Sequence, residues 1–167
     1  MIRKHKNFAR PRKAFEISRI KNEDQLVEKY GLKNKREIWK TIAKVGYFRH
    51  RAMDLAKVSV EEQKVLFSKL NALGLKVSSI SDVLALTVEN LLERRFQTIV
   101  YHKKLASTPR HARQLIAHKI VLIDGRVCNV PGYIVSVAEE SKISLKKASK
   151  IKKEKPAVQD KIEEAKQ

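Results

Sequence analysis

Between Arg94 and Arg126 the chain carries eight Lys/Arg residues and a single acid, Asp124. Arg94, Gln97, Tyr101 and Lys104 recur at i, i+3, i+7 and i+10, the spacing of one helix face. Arg110, Arg113 and Gln114 share the outward face of a second expected helix. The chemistry open to such a set is anion binding. A guanidinium is planar and can bond two phosphate oxygens at once. Ser107-Thr108-Pro109 opens the second helix with capping hydroxyls and a proline, which leaves free N–H groups at the helix start for an anion. Ser107, Tyr101 and Gln114 add hydrogen-bonding and stacking groups. Nothing comparable points to catalysis. Of the five histidines (His5, His50, His102, His111, His118), His111 and His118 are not at i, i+4. Cys128 is the sole cysteine and sits in an apolar run, where a small core residue is expected. Glu61-Glu62 and Glu139-Glu140 read as helix caps or surface acids. No Gly-rich phosphate loop and no nucleophile elbow is present. The expectation is a non-enzyme with no catalytic residue, no metal site and no cofactor.

The elements that must position these groups lie in a very basic chain. Its 167 residues hold 37 Lys/Arg and 18 Asp/Glu, a formal charge of +19. The charge is blocked: +11 over residues 1–51, −2 over 52–93, +7 over 94–126, −2 over 127–141 and +5 over 142–167. Two basic blocks therefore flank a near-neutral segment rich in Leu and Val. Such a surface suits a polyanion: nucleic acid first, an acidic membrane surface second. No apolar run reaches the roughly 20 residues that span a bilayer, and no secretory signal is expected at the N-terminus. The reading is a cytoplasmic protein.

Residues 1–22 have no periodicity and read as a basic extended arm. A helical region is expected over 23–92. Its first helix runs from Asp24 to Tyr30 and stops at Gly31. The second starts at Asn34 with Glu37 as a capping box, carries Ile38, Ile42 and Val45 at helical spacing, and is open to interruption at Gly46. The third is capped by Ser59 and Glu62 and stopped by Gly74. Two shorter helices follow, after Ser81-Asp82 and near Thr87. Over 93–145 the pattern gives two short helices and then β-branched runs. Ile120–Ile123 and Val127-Cys128 are joined by Asp124-Gly125, a hairpin turn. Tyr133–Val135 is a third run and Ile143–Leu145 a fourth. Residues 146–167 read as a Lys/Glu-rich disordered tail. The fold class is α+β: a helical N-terminal region, then a two-helix module with a small antiparallel sheet.

The stretches RRFQTIVY at 94–101, STPRHARQLIAH at 107–118 and DGRVCNVPGYIV at 124–135 resemble the small RNA-binding module named after ribosomal protein S-four. YGLKNKREIWK at 30–40, LNALGL at 70–75 and DVLALTVENLLERR at 82–95 are similar to the N-terminal region of the archaeal and eukaryotic form of that ribosomal protein family. The resemblance covers roughly residues 24–145 and is of archaeal type. It departs from the family pattern at Lys119, where the module has Gly, and a side chain there argues against a left-handed backbone.

This resemblance implies a structural constituent of the small ribosomal subunit. Such a protein binds ribosomal RNA directly, organises a helix junction early in assembly and helps translational accuracy. It implies that Arg94, Arg95, Tyr101, Ser107, Arg110, Arg113, Gln114 and His118 face RNA. Charge alone adds Lys103, Lys104, Lys119 and Arg126, and the N-terminal block adds Arg10, Arg12, Lys13, Lys35, Arg36, Lys40, Arg49 and Arg51. Implied partners are small-subunit ribosomal RNA, a neighbouring protein of the S-five family, and messenger RNA where it enters the subunit. Neither a membrane nor self-association is expected. The alternatives are a ribosomal RNA processing factor and an RNA-modifying enzyme that uses the module as an accessory.

Overall fold

A computed structural model describes residues 6–146 of the chain. Five helices precede the module: α1 Ile17–Tyr30, α2 Lys35–Leu55, α3 Val60–Ala72, α4 Ile80–Ala85 and α5 Val88–Glu93. The module follows with α6 Phe96–His102, α7 Pro109–Ala117, β1 Val121–Ile123, β2 Arg126–Val127, α8 Val137–Glu140 and β3 Ile143–Leu145. The sheet is antiparallel in the order β2-β1-β3. The α+β class expected from the sequence is the observed one.

Several local signals act where they were read. Gly31 ends α1 in the left-handed conformation, with φ +58°. Thr108 caps α7, its hydroxyl accepting from the His111 N–H, and Pro109 is the first helical residue. Asp124 and Gly125 both take positive φ (+51° and +76°), as a two-residue hairpin turn between right-twisting strands requires.

Other expectations are corrected. The helix expected from Asp24 begins at Ile17, seven residues earlier and inside the stretch expected as an arm, because Arg19 and Glu23 pair at i, i+4 over 2.7 Å and tie its first turn down. Gly46 does not interrupt α2, which runs on for 21 residues. Neither Asn34 nor Ser59 makes a side-chain cap. The cap of α4 is Ser79 rather than Ser81-Asp82, with Asp82 completing the box. Ser78 and Ser79 donate to the Asp82 carboxylate and hold its pKa down to about 2. Residues 133–135 form no strand. Ile134 makes one isolated bridge to Arg95, and a short helix, α8, follows under its own Ser136–Glu139 capping box. The tail read over 146–167 lies outside the described residues apart from Lys146.

Three apolar clusters hold these elements. One, inside the module, joins Phe96, Val100, Ala112, Ile116, Val121 and Val135, with Cys128 packed at its edge. A second joins Val45, Ala52, Leu70, Leu75, Val83 and Leu91 of the helical half. It reaches across to Ile134 of the module. The third joins Tyr30, Leu32, Ile38 and Leu92 at the corner of α1, α2 and α5. The two halves thus share apolar contacts, and their relative placement rests on more than a linker.

Candidate nucleic-acid interface

The basic residues of the module divide into two sets. One set is turned inward, onto the seam with the helical half or onto other parts of the module. Arg95 is only 6% exposed, and its Nη2 donates to Glu37 Oε2 over 2.7 Å. Arg113 donates from Nη2 to Glu37 Oε1 over 3.0 Å and from Nη1 to Gln97 Oε1 over 3.3 Å. Gln97 is fully buried, and its amide donates to the carbonyls of Tyr30, Gly31 and Pro109. Arg94 donates to the Leu73 and Val135 carbonyls and pairs with Glu140 at 2.8 Å. Lys103, half-buried, donates to the carbonyl of Glu140.

Arg94, Arg95, Arg113 and Lys103, all expected on RNA, therefore cross-link the fold in the RNA-free chain. Gln97 likewise leaves the outward face. The physical reason is that helical spacing identifies a polar stripe but not what meets it. Here the stripe meets the second half of the same chain. One signal was available. Glu37 is the only acid between Glu28 and Asp54, in the most basic block of the chain. A lone carboxylate there calls for cationic partners. Burial pushes its carboxyl up, but the hydrogen bond from Arg113 and the charge and hydrogen bond of Arg95 outweigh this, and the net shift is downward.

The second set faces solvent. Arg110, Gln114 and His118 are exposed along α7 and its end. Lys104, Lys119 and Arg126 are exposed too. Lys104, Arg110, Lys119 and Arg126 make no ion pair among the described residues. Tyr101 is 38% exposed and shares a cleft with Lys104, Ser107 and His111. The Ser107 hydroxyl sits 3.3 Å from His111 Nδ1.

Lys104 and Lys119 have positive φ (+56° and +60°), a conformation that costs a residue with a side chain. The expectation that Lys119 would avoid the left-handed region is overturned. Lys119 N–H donates to Ile116 O and Ile120 N–H to Leu115 O, the pair of bonds that closes a helix in the Schellman manner. Those bonds satisfy two orphan carbonyls and hold the lysine in place.

On the helical half, Arg36, Lys40 and Arg51 are exposed on α2. Arg49 is exposed as a residue but spends its Nη2 on the Leu86 carbonyl, at 2.7 Å. Lys35 is paired with Asp24 at 2.6 Å. Arg10, Arg12 and Lys13 are exposed in the arm. The arm lies against the helices: Phe8 stacks on Trp39 with ring centroids 6.0 Å apart, and Arg19 holds the carbonyls of Lys13 and Ala14.

The chain is similar to known proteins. Residues 94–141 match the family model of the S4 domain. The small ribosomal subunit protein uS4 of Hyperthermus butylicus is 42% identical over 166 residues, covering 96% of this chain and 94% of the relative. That of Methanothermobacter thermautotrophicus is 40% identical over 161 residues, with 93% and 94% covered. That of Ignicoccus hospitalis is 44% identical over 144 residues, with 83% and 87% covered.

Proposed function

The chain belongs to the uS4 family of small ribosomal subunit proteins, and from that premise we infer that it binds small-subunit ribosomal RNA directly through the free face of its module. It is a structural protein of the ribosome, not an enzyme. Its place is on the small subunit, in the cytoplasm. The observation that carries the RNA-binding reading is the sorting of cations. Arg94, Arg95 and Arg113 are consumed inside the protein, while Lys104, Arg110, Lys119 and Arg126 stand in solvent with no carboxylate partner among the described residues. Unpaired surface cations on a chain of charge +19 find their lowest free energy against phosphate.

The exposed cations of α2 (Arg36, Lys40 and Arg51) and of the arm (Arg10, Arg12 and Lys13) extend the same surface onto the helical half. A protein with two cationic faces locked at a fixed angle favours one mutual placement of the RNA helices it touches over the alternatives. This is how it organises a junction during assembly and supports accurate decoding. Contacts would fall mainly on phosphate and ribose, so shape is read more than sequence. Neighbours of the S-five family and incoming messenger RNA complete the proposed setting.

Salt titration tests the reading. With six to eight cations on phosphates, log affinity for small-subunit ribosomal RNA falls against log salt with a slope of about −5 to −7. A near-flat dependence would sink it. Retention in salt-washed mature subunits is expected and separates this reading from a processing factor that leaves before maturation.

A further inference from the structure

A groove of about 690 Å³ runs between α2 and the loop that precedes Ile134. Its two walls differ in chemistry. The α2 wall carries the exposed cations Lys40 and Lys44 and, one turn on, Tyr47, whose side chain is 64% exposed. The module wall carries Val130, Pro131 and Gly132. At the base, Arg95 and Arg113 share Glu37. Four cations thus surround one carboxylate, and that carboxylate already serves two guanidinium groups. The lining keeps a surplus of three positive charges.

Arg95 supplies a second, independent observation. It is 94% buried, it lines the groove, and its Nη1 has no acceptor among the described residues. A buried donor without an acceptor is uncommon in folded proteins, and it leaves the positive charge of Arg95 only partly compensated beneath the groove.

We propose that this groove takes a single unpaired nucleotide of RNA. Its phosphate lies on Lys40 and Lys44, and its base lies between Tyr47 and Pro131. The inference rests on the RNA-binding reading above and deepens it, because the site is distinct from the free face of α7. The volume is that of a ligand-sized pocket, roughly 300–1,000 Å³, and far too small for a duplex. An aromatic wall beside lysines is the arrangement by which single-stranded nucleic acid is held. The exposed tyrosine and the proline offer flat apolar surface, which favours a base over an acidic peptide.

Ultraviolet crosslinking of the full chain bound to small-subunit ribosomal RNA, with adducts mapped to peptides, tests the site. A nucleotide adduct is expected on the segment holding Tyr47 or on that holding Pro131. Tyr47→Ala is expected to weaken RNA binding about tenfold, the worth of one stacked base, with the salt slope unchanged. Tyr47→Phe keeps the affinity. The double variant Lys40→Ala, Lys44→Ala makes the slope shallower by about 1.4, the value for two single-strand phosphate contacts. The proposal is overturned if neither segment carries an adduct and Tyr47→Ala binds within twofold of the parent. It is equally overturned if Tyr47 crosslinks to a neighbouring ribosomal protein instead. Arg110→Ala separates the two levels. If it weakens binding while Tyr47→Ala does not, the groove inference falls and the RNA-binding reading stands. If neither does, the reading itself falls.

Discussion

The helical half and the module end their helices with the same hydrogen bonds but with different residues. In the helical half, α1 and α3 close at Gly31 and Gly74. In the module, α6 and α7 close at Lys104 and Lys119. In all four cases the left-handed residue donates to the carbonyl three residues back, and the next residue donates to the carbonyl five back. The difference lies in what stands beside each position. A Cβ on Gly31 would meet Pro109 Cβ at 2.9 Å and Arg110 N at 3.1 Å. One on Gly74 would meet the Arg94 guanidinium at 2.7 Å. Both glycines therefore lie where the module presses on the helical half. Lys104 and Lys119 stand in open solvent, and there a side chain with a charge is kept despite the conformational cost. Glycine marks the seam, lysine the free face.

The seam can be broken most directly at Glu37. Glu37→Ala leaves two part-buried guanidinium groups facing each other without their shared carboxylate. A loss of about 3 kcal/mol in unfolding free energy is expected from urea titration. The pH dependence has a definite sign. The folded carboxyl lies below the ordinary range, so its stabilisation is complete at neutral pH and is lost as pH falls through that lowered value. The gap between parent and variant should therefore narrow on acidification. A gap that widens would contradict the assignment.

Gly31→Ala comes next. It combines a positive φ with a contact against backbone that cannot give way, and about 2 kcal/mol should be lost. Gly46→Ala is the control. Gly46 lies mid-α2 with nothing within 4 Å of the added Cβ, so alanine should stabilise by about 0.5–1 kcal/mol. Thermal or urea unfolding of the two variants should give opposite signs.

Arg94→Ala and Arg110→Ala contrast the two faces with one chemistry. The first removes three hydrogen bonds at the seam and should cost about 2 kcal/mol of stability. Its salt slope for RNA should hold. The second touches nothing internal, so stability should stay within about 0.5 kcal/mol while the slope becomes shallower by about 0.9. If both variants moved the slope alike, the division into seam and free face would be wrong.

Much of this architecture was legible from residues. Gly31 and Gly74, Thr108-Pro109 and Asp124-Gly125 each act through local backbone chemistry, and local chemistry survives folding. The S-four-type motifs located the module, and the family comparison supports them. The division of the arginines was not legible, because periodicity places Arg94, Gln97 and Arg113 on polar stripes without saying which stripe another segment will cover. The bond between Glu37 and residues 95 and 113 spans 58 and 76 positions of sequence, beyond any local rule. The start of α1 was missed for a related reason. Phe15 and Ile17 are exposed and give no apolar stripe there, and the turn is held by polar pairs around Arg19 and Glu23. The left-handed Lys119 was not legible because steric preference opposes it, and the bonds to the Leu115 and Ile116 carbonyls that offset this exist only in the closed helix end.

Lys119 also gives the smallest and most discriminating effect. Lys119→Gly relieves the positive φ while leaving both closing hydrogen bonds possible, since they are made by backbone. Glycine is the residue this position favours energetically, so stability should rise by about 0.5–1 kcal/mol in urea unfolding. The same substitution removes an exposed cation at the end of α7. If Lys119 reaches phosphate, RNA affinity should drop and the salt slope should become shallower by about 0.9. The two measurements then move in opposite directions, which a purely structural lysine would not produce. A variant that is more stable and binds RNA with an unchanged slope would assign Lys119 to solvent. A variant that is less stable would mean that the lysine stem, packed along the helix end, contributes more than the left-handed backbone costs.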